Sequence, residues 1–201
     1  GWCGRGIAMR GAALGARIIV TEVNPVRAIE ARMDGHDVMT MEEAAPKGDF
    51  FITATGCKNT IGIDHMLLMK DRAILANAGH FDVEIDMQTL KSESVEKHEV
   101  RENIMRYRLP KGNSVNVIGQ GRLVNIAAAD GHPAEIMDLS FAVQALSAIY
   151  IKDNHKKLEN KVIDVSSDID SLIATKKLEA WGIKIDTLTK EQEEYLDSWQ
   201  V

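Results

Sequence analysis

Apolar and polar positions along the first two thirds of the chain alternate between helical and extended spacing. Ile7, Ala8, Met9, Ala12, Ala13 and Leu14 recur at helical intervals, and Gly15 stops them. A short apolar strand follows over residues 17–22. A helix is predicted over 25–34, with Pro25 in its first turn and Gly35 just past its end. Next come a short strand over 36–39, a short helix over 41–45 stopped near Pro46, and a buried strand over 49–55 ending at Gly56. A helix over 63–69 and a strand over 73–77 complete this rhythm. Residues 91–108 are charged and weakly alternating, which reads as strands or loops at the domain edge. A strand over 115–118 leads into a Gly119-Gln120-Gly121 turn, and the apolar run 123–126 reads as the last strand. Gly131, His132 and Pro133 then break the chain, and the spacing turns helical. Ile136, Leu139, Val143, Leu146 and Tyr150 form one stripe. Ser167 reads as the start of a second helix with Asp170 as capping partner. Thr189 and Gln192 form a capping pair ahead of Tyr195, Leu196 and Trp199.

Strands alternating with helices predict an α/β fold with a doubly wound, mostly parallel, Rossmann-like sheet, followed by a helical C-terminal segment. Ligands of such sheets sit beyond the carboxyl ends of the strands. Three polar stops lie there: Glu22, residues 53–56 and residues 77–80.

Composition narrows the class. With 45% hydrophobic and 27% charged residues among 201, the chain has ordinary globular character. A net charge of −6 argues against a nucleic-acid binder. No apolar run approaches the ~18 residues of a membrane span, so no membrane partner is expected. Cys3 and Cys57 make no disulfide framework, which suits a reducing, cytoplasmic setting. Both read as buried small apolar residues. No metal is expected, and His36, His65, His98 and His155 read as surface or packing residues. Met66, Leu67, Leu68 and Met69 read as core, and Lys156, Lys157, Glu193 and Glu194 as solvated surface.

The chemistry begins at the first residue. Gly1-Trp2-Cys3-Gly4-Arg5-Gly6 stands before the first helix as a glycine-rich turn. It reads as the later part of G-x-G-x-x-G, so the first strand and first glycine of a βαβ dinucleotide unit are expected to precede Gly1. In that reading Gly1 lets backbone approach a pyrophosphate and Gly4 lets helix and strand pack closely, with free helix N–H groups facing the phosphates. Glu22 stands where the acidic ribose ligand belongs. It would accept from both ribose hydroxyls and repel a 2′-phosphate, which favours NAD over NADP.

Several phrases then coincide: Gly1 to Gly6; Val20-Thr21-Glu22-Val23-Asn24-Pro25; Ala54-Thr55-Gly56-Cys57; Asn77-Ala78-Gly79-His80-Phe81-Asp82-Val83-Glu84-Ile85; and Gly121-Arg122-Leu123-Val124-Asn125-Ile126-Ala127 running into Gly131-His132-Pro133. In this order the whole chain resembles the C-terminal, NAD-binding half of the S-adenosyl-L-homocysteine hydrolases (adenosylhomocysteinases). The resemblance implies reversible hydrolysis of S-adenosyl-L-homocysteine to adenosine and L-homocysteine. The steps are oxidation at the ribose 3′ position, elimination of homocysteine, addition of water at the 5′ carbon and re-reduction. It implies that Gly1, Trp2, Cys3, Gly4, Arg5 and Gly6 line the pyrophosphate and that Glu22 holds the ribose of NAD. Ala78, Gly79 and His80 would lie at the nicotinamide end. Asn125 would reach the carboxamide region, and His132 would contact NAD or the substrate adenosine. His80 is the candidate for proton handling near the 5′ carbon; the alternative is a structural strand-end histidine. His132 is equally readable as a helix cap, and Asn77 as a turn residue. Arg27 stands where the family often places an asparagine ligand to NAD, which leaves that contact open.

The resemblance also divides the chain. Residues 1–132 are the NAD-binding Rossmann-like domain, N-terminally truncated and lacking its first strand. Residues 133–155 are a hinge helix returning to the substrate domain, and residues 156–201 a C-terminal oligomerisation segment. Family members are homo-oligomers (tetramers), so a homo-oligomer is expected. The substrate domain would precede the first strand, so this chain alone is expected to be inactive. The chain stops at Ser198-Trp199-Gln200-Val201, without the Lys and Tyr with which longer members reach a neighbouring subunit's NAD. The competing readings are the cofactor domain of a 2-hydroxyacid-type dehydrogenase and a non-catalytic NAD-binding module.

Overall fold

The computed structural model describes residues 1–198, so the expectation for Trp199 lies outside the described residues. The chain divides into two units, Gly1–Gly131 and His132–Val201.

In the first unit helix α1, Trp2–Ala13, begins immediately after Gly1. The glycine-rich stretch is therefore helical from Trp2 onward rather than a turn, and Gly4 and Gly6 lie within the helix with open space beside them. Gly15 follows with φ +88°, a conformation that suits glycine at a helix stop. Strand β1, Ile19–Val20, pairs in parallel with β2, Asp37–Val38, across helix α2, Pro25–Met33. The Asn24 side chain caps α2 by accepting from the N–H groups of Val26 and Arg27. Helix α3, Met41–Ala44, carries a reciprocal capping box between Thr40 and Glu43.

Strand β3, Phe50–Thr53, and strand β4, Ala73–Asn77, flank the short helix α4, Ile63–Met66. Helix α5, Met87–Glu93, leads to strands β5, Glu96–Arg101, and β6, Ile104–Arg108, then β7, Ser114–Ile118. The sheet order is β3-β4-β7-β6-β5, with β3, β4 and β7 parallel and the β5–β6 hairpin antiparallel. The charged stretch 91–108 thus makes the edge of the sheet, as its weak alternation suggested. Among the described residues no ladder joins β1 to β3, and each pairs on one side only. Phe50 and Ile52 of β3 stay exposed, at 69% and 49%. The core gathers Phe51, Met66, Leu75, Ile85, Leu90, Tyr107, Val115 and Val117 between the larger sheet and its helices.

Four expectations for this unit need correction. Residues 123–126 are not a strand: α6, Val124–Ala127, is helical, and only Leu123 makes an isolated parallel bridge, to Asn77. A four-residue apolar run carries no period that separates strand from helix. Cys3 and Cys57 are exposed rather than buried, one on the first turn of α1 and one on the loop after β3. Leu68 is exposed, while Met66 and Met69 are core. The glycine turn is the helical stretch already described.

The second unit holds α7, Ala134–Asn154, α8, Ser167–Trp181, and α9, Lys190–Ser198. Helices α7 and α8 pack together. Lys177 Nζ of α8 reaches Asp138 of α7 at 2.6 Å and lies 5.1 Å from the Trp181 ring centre. The cap of α8 is Ser166, whose hydroxyl accepts from Asp168 N–H, not Ser167 with Asp170. Thr189 and Gln192 do bond reciprocally ahead of α9. On the α7 stripe Leu139, Val143 and Leu146 are half-buried, and Ile136 and Tyr150 exposed. At 21 residues and a mean hydropathy of 1.3, α7 is long and apolar enough, by length and composition alone, to cross a membrane. It is still not an unbroken apolar run: Glu135, Asp138, Lys152 and Asp153 interrupt it, and it qualifies only by its average hydropathy.

Candidate functional site

Two groups of residues gather at strand ends of the first unit. The first surrounds the start of α1. Gly1 is its N-cap, and the Gly1 carbonyl takes the first helical bond, from Arg5 N–H at 3.0 Å. The N–H groups of Trp2, Cys3 and Gly4 precede that bond and have no helical acceptor. Arg27 reaches over from α2. Its Nη1 lies 2.9 Å from where a β-carbon on Gly1 would stand.

Glu22, just past β1, is half-buried. Its Oε1 accepts the N–H groups of Val23 at 2.8 Å and Asn24 at 3.0 Å. The Asn24 N–H, with help from Val23 N–H and, more weakly, the Gly1 ammonium and Arg27 charges, holds the carboxyl below the usual glutamate range against the opposing effect of burial. The bound oxygen fixes the side chain, and Oε2 takes no hydrogen bond among the described residues. Arg5 is turned to another task. Its guanidinium grips the Asp34 carboxylate through Nε and Nη2, both at 3.0 Å, so what Arg5 adds to the turn is backbone.

The second group lies at the ends of β3 and β4. Asn77 is fully buried, and its side chain makes four bonds. Oδ1 accepts from the Thr53 hydroxyl at 3.2 Å and Gly79 N–H at 2.7 Å. Nδ2 donates to the carbonyls of Phe81 at 2.8 Å and Gly121 at 2.9 Å. Asn77 therefore organises the turn. It also brings Gly121, Leu123 and the start of α6 beside the β4 end. Asn125 sits half-buried on α6, its carbonyl accepting from Gly131 N–H at 2.9 Å.

Ala78 N–H donates to Thr53 carbonyl at 2.7 Å, which ties the β4 end to β3. Gly79 is buried and packs against the Glu84 carboxylate. His80 is exposed, its ring edge-on to Phe81 at 4.5 Å and 85°. His132 is exposed at the start of the second unit. The sequence reading placed Thr55 within the polar stop 53–56 but gave Glu84 no role, and the two together hold this end of the site. The alternation of residues 81–85, Phe-Asp-Val-Glu-Ile, gave no signal for it, because it places Glu84 with Asp82 on the polar side.

The family model for "S-adenosyl-L-homocysteine hydrolase, NAD binding domain" matches residues 1–131. Over its full length the chain is 55% identical to an adenosylhomocysteinase of Aquifex aeolicus and 58% identical to one of Thermococcus kodakarensis, covering 48% of each. It is 56% identical to an S-inosyl-L-homocysteine hydrolase of Methanocaldococcus jannaschii, again over 100% of the chain and 48% of that protein. The chain thus spans about half the length of the curated relatives it matches.

Proposed function

Since the chain belongs to the S-adenosyl-L-homocysteine hydrolase family, with residues 1–131 as the NAD-binding domain, we propose that it is the cofactor-holding half of an enzyme that reversibly hydrolyses S-adenosyl-L-homocysteine to adenosine and L-homocysteine. The observation that carries this reading is the match of the whole chain at 55% identity to an adenosylhomocysteinase.

NAD is the cofactor of this domain, and the first group of residues fits it. Helix N–H groups at Trp2, Cys3 and Gly4 suit a diphosphate, as does the Arg27 cation beside them. The fixed, negatively charged Glu22 carboxylate suits a ribose diol and opposes a 2′-phosphate. When bound, NAD supplies reversible removal of hydride at the ribose 3′ carbon. The residues of this chain then hold and shield the reacting sugar. Gly79 gives close backbone approach at the strand end. His80, exposed beside Phe81, moves a proton near the 5′ carbon. Asn125 binds the carboxamide region and His132 the cofactor or the nucleoside. Residues 133–155 serve as the connecting helix and 156–201 as part of the subunit interface of a cytoplasmic homo-oligomer.

A second substrate reading has an observation behind it, because relatives named for S-inosyl-L-homocysteine match as closely, at 55–56%. The test is made on the full-length enzyme. It should purify with bound NAD, develop a reduced-nicotinamide absorbance band on adding adenosine, and hydrolyse the adenosyl thioether in preference to the inosyl one. A reversed preference moves the assignment to the inosyl substrate. Failure to retain NAD and to turn over either thioether overturns the reading.

A further inference from the structure

Glu84 is 1% exposed, and its carboxylate is spent entirely on the neighbouring strand end. Oε1 accepts from Gly56 N–H at 2.7 Å and shares Thr55 N–H, which stands 2.9 Å from Oε2. Oε2 also takes the Thr55 hydroxyl at 2.8 Å. Among the described residues no cation pairs with it, so these three donors replace the water that burial removes. The backbone around it is latched too. Asn59 N–H donates to Val83 carbonyl at 2.8 Å, Ile61 N–H to Glu84 carbonyl at 3.0 Å, and Asp86 N–H to Ile61 carbonyl at 3.0 Å. On its other side the carboxylate lies against Gly79, where any β-carbon would overlap Oε1.

We propose that Glu84 is a positioning residue of the hydrolase reaction: its carboxylate clasps the loop after β3 to the Gly79–His80 turn after β4. The proposal rests on the function assigned above and adds a residue to it. The loops after two adjacent parallel strands are the walls against which cofactor and sugar must lie; the β3–β4 ladder ends at Thr53 and Asn77, and the backbone rejoins only farther on, at the Ile61–Ile85 bridge, which leaves residues 54–58 to the Glu84 carboxylate. Asn77 fixes the start of the second loop, and Glu84 fixes the first loop to it. Gly79 is required because the clasp occupies the space of a side chain. His80 is adjacent to that contact, so the placement of its imidazole depends on it without Glu84 touching the substrate.

The test uses full-length enzyme carrying Glu84→Ala, Glu84→Gln or Thr55→Val. Each is assayed per NAD-loaded folded subunit, with KM, kcat and amide exchange at Thr55 and Gly56 measured together. Glu84→Gln keeps one oxygen for Gly56 N–H but turns an NH2 toward Thr55 N–H, which stands 2.9 Å from Oε2. The expected result is a kcat lower by about 100-fold in Glu84→Ala, the order of loss that a small misplacement of reacting groups causes. KM should change little, amide exchange should be faster at Thr55 and Gly56, and Glu84→Gln should be impaired as well, because its NH2 opposes an N–H donor. If Glu84→Ala does not fold, Thr55→Val carries the same test, with a smaller kcat loss and the same faster exchange. An unchanged kcat per folded subunit in Glu84→Ala, or in Thr55→Val where that variant stands in, overturns the proposal. So does a Gln variant as active as the parent. A parent enzyme without NAD or hydrolysis would instead defeat the underlying functional assignment.

Discussion

Arg27 lies against Gly1, with Nη1 2.9 Å from the place a β-carbon on Gly1 would take. The contact puts a cation from α2 over the first turn of α1, where the unpaired N–H groups of Trp2, Cys3 and Gly4 are. Both features attract phosphate, and they act together. Replacing Arg27 with Ala in the full-length enzyme should weaken NAD binding by about tenfold, the value of one hydrogen bond to a charged group at an exposed site. Calorimetric titration at low and high salt checks this. The difference between parent and variant should shrink as salt rises.

Glu22 gives a pH prediction. Its folded carboxyl is held below its ordinary pKa, chiefly by the Asn24 N–H. A depressed acid contributes stability that is complete above the unfolded pKa and is lost as pH falls through the folded value. The parent should therefore lose stability on acidification more steeply than Glu22→Gln, with the two differing most near neutral pH. Melting curves between neutral and acid pH read this directly. NAD retention should fall over the same acid range in the parent.

Asn77 should be among the least tolerant positions. Asn77→Ala strands two donors, the Thr53 hydroxyl and Gly79 N–H, and two carbonyls, all at a fully buried point. At about 1–3 kcal/mol for each unsatisfied buried group, a loss of about 3 kcal/mol or more is expected in urea unfolding. Asn77→Asp should do no better, because it faces the Phe81 and Gly121 carbonyls with oxygen instead of N–H.

These residues also mark how far the sequence could be read. Helix α2 was legible because Asn24, Pro25 and Gly35 each have a local role that needs no tertiary partner. The same holds for the Thr40–Glu43 and Thr189–Gln192 caps. Glu22 was legible through its distance from the glycines. Glu84 was not, since alternation of Asp82, Val83, Glu84 and Ile85 assigns an acid to the solvent side. Only the three donors of a loop nearly 30 positions away turn it inward. The run 123–126 failed for a similar reason: Leu123 takes a strand partner in Asn77 before the chain coils into α6.

In the second unit Lys177 separates charge from packing. Its side chain is 15% exposed and that of Asp138 64%, so the ion pair itself is worth little in water. Lys177→Met should cost less than about 1 kcal/mol. Lys177→Ala should cost more, because the aliphatic stem of this mostly buried side chain is lost as well. Comparing the two melting temperatures decides whether the stem or the charge matters.

The two outer strands of the larger sheet behave oppositely toward newcomers. Strand β5 displays Glu96, Lys97, His98, Glu99 and Arg101 along its free border, and a bulge between Glu99 and Arg101 breaks its regularity. Such a border repels chance strand addition. Strand β3 has no charged residue and leaves Phe50 and Ile52 uncovered. The sheet is thus directional: it is closed to extension at one margin and receptive at the other. A strand that joined it would join beside β3.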